Sequence, residues 1–364
     1  MSGSFVTSYR VDTISASDRS TWIFVTLALA NGAHGIGEAT LDHREGVVVA
    51  RLEALASTLV REKVAAEDAA GILPAIDGDL ATAAAIAAID QALADALARA
   101  AGLSLADFIG GELRQEVGLY ANVNRGTRDR SPAGFASGAS LAKAAGFDAI
   151  KIAPFDEVQP RAPAAQSMKE GLARIAAVRD VLGQDGRLMI DCHWRFDERT
   201  AGMMIDACRG FNPYWIECPL PENGSQMAAI AALRRQANRN GILLAGGENA
   251  IGLDGIEAFL AADAYDVIMP DVKYVGGPRT MLEAAARLRQ AGITFSPHNP
   301  SGPVAYAASL EVCAAAPTVD LLEYQFAETP LFDTMVFGAI PAIRGGVAHL
   351  SAMRQGIGLE LRPS

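Results

Sequence analysis

Hydrophobic and polar positions change rhythm twice along this chain. Over the first ~40 residues they alternate as strands do, in FVTSYRVD, then TWIFVTLALANG, then HGIGEAT after a turn at Asn31-Gly32. This predicts a small antiparallel meander. From about Arg44 to Gly111 the pattern becomes helical. Its clearest stretch is Ala81–Gly102, ATAAAIAAIDQALADALARAAG, where high helix propensity ends at a glycine and the alanines suit close helix packing. After Glu116 short apolar runs recur, each followed by a helix-like segment: VGLYANVN, AIKIAPF, LMIDCH, WIECP, LLAGGE, VIMPDVK, ITFSPH and LLEYQF.

Eight strand-plus-helix units predict an α/β fold, a (β/α)8 TIM-like barrel, in preference to an open sheet. The expected domains are 1–115 as the N-terminal part of an α+β capping domain, 116–344 as the barrel, and 345–364 as a return to the cap with no barrel role.

In such a barrel the chemistry belongs at the C-terminal ends of the strands. Lys151, Asp191, His193, Glu217, Glu248, Asp271, His298 and Glu323 all fall there. From Asp191 through Glu217, Glu248, Asp271 and His298 to Glu323 the steps are about 23–31 residues, one βα unit each. Scattered surface charge has no reason to keep that step. In LMIDCHWRF, Asp191 and His193 stand two residues apart, so an extended backbone would project both to one side beyond the strand.

Asp191, Glu217 and Glu248 end three successive strands. Three hard oxygen donors without sulfur suit an octahedral divalent cation, most simply Mg²⁺; a carboxylate at a strand end can instead cap the helix that follows. Asp271 and His298 come from neighbouring strands. A carboxylate on one imidazole nitrogen fixes the tautomer and makes the other a competent general base, although a lone histidine can equally be structural. Lys151 could neutralise charge on a substrate oxygen. Glu323 could bond a substrate oxygen or serve as a rim ion-pair partner. Asn122 and Asn124 could meet substrate hydroxyls or backbone, and Arg125 could meet a distal acid group.

Composition narrows the classes. Half the residues are hydrophobic and 20% are charged, which suits a compact enzyme. A net charge of −11 argues against nucleic-acid binding, which needs a basic face. No run of ~18 apolar residues lacks charges, so no membrane span is expected. MSGSFVTSYR lacks the features of a signal peptide, so the expected location is cytoplasmic. Cys192, Cys208, Cys218 and Cys313 form no CxxC pair and imply reduced thiols.

Taken together, GIGEA at Gly35–Ala39, the strand-end residues and LLEYQF resemble the enolase superfamily, in its mandelate racemase-like branch. The resemblance implies a cap made of both chain ends over a barrel that binds Mg²⁺ through Asp191, Glu217 and Glu248. It also implies removal of a proton α to a carboxylate, leaving an enediolate; sites of this superfamily use a Lys or His base. Even-numbered homo-oligomers are common there.

Departures narrow the branch. Racemases resemble K-x-K at the second strand, whereas this chain has Lys151-Ile152-Ala153. The cycloisomerase branch has lysine where Asp271 stands, and Lys273, two residues on, is assigned to the loop. Where the family has IEEP this chain has Ile216-Glu217-Cys218-Pro219. D-x-H at Asp191–His193, PLPEN at Pro219–Asn223 and SPHNPSGPVAYAASLEV at Ser296–Val312 resemble the galactonate and gluconate dehydratases. The expected partner is therefore a small-molecule carboxylate, a sugar acid. His298 would be the base and His193 the acid that protonates the departing hydroxyl, or else His193 only orients a water or a hydroxyl. A racemase or epimerase using the same enediolate, and a barrel that binds acids without turnover, are the competing readings. The short loop Ser15–Ser20 leaves room over the barrel.

Overall fold

The computed structural model describes residues 3–65, 72–76, 78–159, 167–338 and 340–362. Part of the helical stretch expected over 44–111, namely 66–71 and 77, lies outside them.

The N-terminal meander forms as β1 (Ser4–Ser15), β2 (Thr21–Leu29) and β3 (His34–Glu38), followed by α1 (Glu45–Leu59). A two-residue strand, β4 (Lys63–Val64), pairs with the start of β1 and extends the sheet to the order β3-β2-β1-β4. It carries no periodicity, which is why the sequence pattern did not show it. Then come α2 (Leu80–Ala100) and α3 (Leu105–Ile109).

The alanine run of α2 has a packing reason. Gly35 and Gly37 alternate along β3 and face the helix so closely that an added Cβ would lie 2.1 Å from the Ala92 carbonyl oxygen and 1.9 Å from that of Ala88. Small residues on both surfaces bring backbone to backbone. The polar interruptions are docked too. Gln91 accepts from Glu38 N and donates to Glu38 O, and Asp95 accepts from Ile36 N and Ile357 N. α2 is long and apolar enough to cross a bilayer, but 89% of its apolar window is buried inside the protein, as befits a core helix.

The second domain is a (β/α)8 barrel. Its strands are β5 (Glu116–Asn122), β6 (Ala149–Ile152), β7 (Arg187–Asp191), β8 (Trp215–Glu217), β9 (Leu243–Gly246), β10 (Val267–Ile268), β11 (Thr294–Phe295) and β12 (Leu322–Gln325). Consecutive strands pair in parallel from β5 to β11, and β12 pairs in parallel with β5. Asp320 N→Phe295 O (3.0 Å) and Glu323 N→Pro297 O (3.2 Å) join β11 to β12 and close the ring. The intervening described helices are α4 (Pro132–Ala144), α5 (Lys169–Leu182), α6 (Glu198–Cys208), α7 (Met227–Arg239), α8 (Gly252–Ala261), α9 (Pro278–Gln290) and α10 (Pro303–Ala315). Inside, Tyr120, Met189, Trp215, Val267 and Met269 fill the barrel as a packed floor beneath its mouth.

After α11 (Leu331–Thr334) and β13 (Val336–Gly338), the tail divides. The hairpin of β14 (Ala342–Arg344) and β15 (Val347–His349) adds antiparallel to the first residues of β5, with Val347 opposite Gly118. This is a barrel role that the sequence did not suggest, because a three-residue strand shows no alternation. Beyond it, Leu105 N bonds Gly356 O, Ile357 N bonds Asp95 of α2, and β16 (Leu359–Leu361) pairs with β13.

Candidate active site

Asp191 and Glu217 are direct neighbours across the β7–β8 ladder, and Asn122 is opposite Lys151 across β5–β6. β10 and β11 stop early, but Asp271 and His298 resume the pairing as an isolated parallel bridge. Three strand ends then use one local device. Asn122 Oδ1 accepts from Asn124 N, Asp191 Oδ1 from His193 N, and Asp271 Oδ1 from Lys273 N, at 3.0, 2.9 and 2.8 Å. Each is a side chain bonding its own backbone two residues on, which turns the chain sharply off the strand.

At Asp191 this device changes the expected geometry. The strand ends there, and His193 and Trp194 both have positive φ, 47° and 56°. The two side chains do meet, with His193 Nε2 2.7 Å from Asp191 Oδ2, but through a left-handed turn and not through strand alternation. Trp194 N→Cys218 O (2.7 Å) pins that turn to the next strand end. A tryptophan held at positive φ is costly and persists only where its surroundings enforce it.

The site is a cavity of about 310 Å³ between cap and barrel mouth. Lys151, Asp191, His193, Glu248, His298, Asn122, Asn124 and Arg125 all line it. Glu217, Asp271 and Glu323 lie behind them. Lys151 Nζ sits 2.7 Å from Glu217 Oε1 and 3.2 Å from Glu323 Oε1. Asp271 Oδ2 is 2.9 Å from His298 Nδ1, which leaves Nε2 of the ring 3.6 Å from Glu248 and 3.9 Å from Glu323. The sequence-named residues therefore lie around and behind one cavity. His193 is 46% exposed at its side chain, whereas His298 is 11%.

Lys273 is not a bystander in its loop. It is buried, with Nζ 2.5 Å from Asp271 Oδ2, so that one carboxylate oxygen serves both the lysine and His298. Asn122 Nδ2 donates to Glu323 Oε1 at 2.5 Å and Asn124 Oδ1 accepts from Ala153 N at 2.5 Å, so both amides are held by protein atoms at the cavity wall. Arg125 Nη2 donates to Asp42 Oδ2 at 2.7 Å, Nη1 donates to Ser20 Oγ, and Glu328 Oε2 is 3.7 Å from Nη1.

Electrostatics follow from too many acids in little water. Burial raises the pKa of the Glu217 carboxyl; Lys151 opposes this, while Asp191, Glu248 and Glu323 add to it. Burial would lower Lys151, but Glu217 and Glu323 more than reverse that and hold it well above an ordinary lysine. For His298, burial acts downward, yet Glu248, Glu323 and Asp271 bring it to about 9. Asp191 raises His193, against burial.

Among the described residues no three Asp, Glu, His or Cys side chains converge on one point, because Asp191 is turned to His193 and Glu217 to Lys151 and the Trp215 indole. The donor set nevertheless fits a hard divalent cation. Three carboxylates on successive strands carry more negative charge than one lysine balances, and Asp191 and Glu248 add to the burial that already raises the Glu217 pKa.

Sequence reasoning missed the roof. Thr40, Leu41 and Asp42 reach the cavity from the cap, and Trp194, Asn249, Tyr274, Pro300 and Ser301 line it from the barrel loops. The barrel set immediately follows, or lies close to, residues already singled out. The cap set follows GIGEA and has no periodic signal. Glu38, within GIGEA, is fully buried and accepts from Gly302 N and Ala305 N at 2.7 and 2.8 Å, capping α10 and so fastening the cap to the His298 loop.

Barrel, cap and strand-end acids together define a class. A family model described as Enolase C-terminal domain-like matches residues 135–364, and one described as Mandelate racemase / muconate lactonizing enzyme, N-terminal domain, matches residues 7–110. The chain belongs to this mandelate racemase-like branch of the enolase superfamily. It is 32% identical over 242 residues to a D-gluconate dehydratase of Thermoproteus tenax, a match covering 66% of this chain and 47% of that protein. It is 28% identical over 296 residues to a D-galactonate dehydratase of Ralstonia nicotianae, covering 80% and 75%. A mandelate racemase/muconate lactonizing enzyme-like protein from Rubrobacter xylanophilus superposes with a TM-score of 0.87 at 26% identity, covering 99% of this chain and 95% of that one.

Proposed function

We propose that this protein is a sugar-acid dehydratase that removes the proton α to a carboxylate and expels the β-hydroxyl. One observation carries the reading. His193 and His298 follow the third and seventh of eight barrel strands, so they stand on opposite sides of one cavity, and each has its own carboxylate partner. The dehydratases among the relatives support it.

His298 takes the α-proton on Nε2 while Asp271 holds Nδ1 and fixes the tautomer. Lys151 lies at the cavity floor, where its fixed charge stabilises the carboxylate oxygens as the enediolate develops. Glu323, held by Lys151 and Asn122, keeps that ammonium in place. His193 enters as imidazolium, favoured by Asp191, and protonates the leaving hydroxyl so that it departs as water. Base and acid on opposite sides give an anti elimination, and the enol tautomerises to a 2-keto-3-deoxy acid. Asp191, Glu217 and Glu248 would hold Mg²⁺, which when bound supplies further charge stabilisation and offsets the carboxylates that raise the His298 pKa.

Incubating the protein with Mg²⁺ and a panel of sugar acids in D₂O tests this. Keto acid is the expected product. Deuterium at the α-carbon of recovered acid without keto acid would replace elimination by epimerisation, and neither signal from any acid would remove the catalytic reading.

A further inference from the structure

Glu222, in PLPEN, sits in the loop after β8 and does not line the cavity, yet its carboxyl group is buried against the end of β9. Its Oε1 accepts from Gly247 N at 2.7 Å and from Tyr265 Oη at 2.8 Å. Both glycines of LLAGGE answer to it. A Cβ on Gly246 would lie 2.5 Å from Glu222 Oε1. Gly247 has a φ of +88°, the left-handed turn that glycine makes without strain, and the next residue, Glu248, lines the cavity.

All three strand ends with a candidate metal ligand use a left-handed residue. After Asp191 it is His193 and Trp194, after Glu217 it is Cys218, and before Glu248 it is Gly247. Trp194 N donates to Cys218 O at 2.7 Å and Cys218 N to Ala245 O at 3.0 Å, so the first two turns are pinned by the backbone of the next strand end. The third is pinned by a side chain, that of Glu222. Burial, with Glu248 adding to it, raises the Glu222 pKa to about 7. An acid in such surroundings costs stability, and what it contributes is the hold on Gly247.

We propose that Glu222 is a positioning residue for the cation site: its Oε1 clamps the Gly247 turn and so aims the Glu248 carboxylate into the cavity. This rests on the reading of Asp191, Glu217 and Glu248 as the metal ligands, whereas the clamp itself is a statement about the turn.

The test titrates Mg²⁺ into the full-length, metal-free protein by calorimetry and follows amide hydrogen exchange over residues 244–250. Glu222→Gln and Glu222→Ala both remove the charge, but only alanine removes the acceptor. Glu222→Ala should therefore bind Mg²⁺ at least about tenfold more weakly than Glu222→Gln. Its Gly247 amide should also exchange at least about tenfold faster. Equal Mg²⁺ affinities in the two variants overturn the positioning role, because charge alone then accounts for any loss. Faster exchange with equal affinities overturns it too, since the clamp would then be structural only. If the alanine variant fails to fold, Tyr265→Phe takes its place by removing the other donor to Oε1. It should bind Mg²⁺ about threefold or more weakly than the wild type, and unchanged binding overturns the proposal. A wild type that binds no Mg²⁺ overturns the metal reading instead, and the clamp then stands or falls on the exchange alone.

Discussion

His193 and His298 differ in how their surroundings hold them, and the proposed roles follow that difference. His193 is open to the cavity and linked to Asp191 through the same nitrogen that would deliver a proton, whereas His298 is enclosed, with Nδ1 on Asp271 and Nε2 directed into the site. His193→Asn should therefore abolish keto-acid formation yet leave slow α-deuterium exchange, followed by NMR in D₂O. Elimination that survives while exchange is lost would reverse the two roles. Asp271 serves two cations at once. Asp271→Asn should lower kcat by about 10²–10⁴ through loss of the oriented base. It should also lower the melting temperature, because a buried Lys273 left without its anion costs about 3–5 kcal/mol. Adding Lys273→Met should recover much of the melting temperature and none of the activity, which separates the two effects. These side chains were legible because each ends an apolar run at a fixed step. Lys273 lies in the loop to which it was assigned, but its burial and its bond to Asp271 were not legible because they depend on the turn that Asp271 makes with its own backbone. Arg125 was read without the neighbour that neutralises it, because Asp42 lies 83 positions away in the chain.

Among the elements, the eight barrel strands were visible because a parallel strand buried on both faces reads as an unbroken apolar run. Their lengths were less visible. β10 and β11 hold two residues each before the chain bends away toward Asp271 and His298. β4, β14 and β15 are too short to alternate, so only three-dimensional pairing reveals them. The glycines of GIGEA mark a close approach that composition alone cannot distinguish from a turn. At Gly37 that approach bears on the cavity as well as on packing, because the chain runs on from β3 through Glu38 to the cavity wall at Thr40–Asp42. Gly37→Ala should destabilise the protein by about 1–3 kcal/mol or more, since its Cβ would meet helix backbone that cannot swing aside. The loss should register as a lower melting temperature and a weaker affinity for the acid substrate. Gly46→Ala in α1, where nothing lies within 4 Å, serves as the control and should leave the melting temperature unchanged or slightly raised.

Across the whole molecule, the cap and barrel meet along a seam where the buried Asp90 of α2 faces Gly277 and Arg279, just past the loop carrying Asp271 and Lys273. Asp90 is the exposed weakness of that seam. Its carboxylate packs against Gly277, its Oδ2 has no hydrogen-bond partner among the described residues, and Arg279 stands 3.6 Å from its Oδ1, an ion pair without a hydrogen bond. Burial therefore outweighs the arginine and raises the Asp90 pKa from 3.8 to about 6. Because the folded-state value lies above the unfolded one, folding favours the protonated acid. Its contribution is complete below pH 3.8 and is lost as pH rises through about 6. The change is about 3 kcal/mol at 1.36 kcal/mol per pH unit. Asp90→Asn keeps the shape and removes the titration. The melting-temperature difference, variant minus wild type, should therefore grow in the variant's favour between pH 4 and pH 8. Other buried acids such as Glu222 are present in both proteins and largely cancel from that difference. A difference that stays flat with pH would show that Arg279 closes on Asp90 in solution and that the seam is a satisfied ion pair. The same seam would then hold the Asp271 loop by charge, and Arg279→Met would lower the melting temperature at pH 8 more than at pH 4.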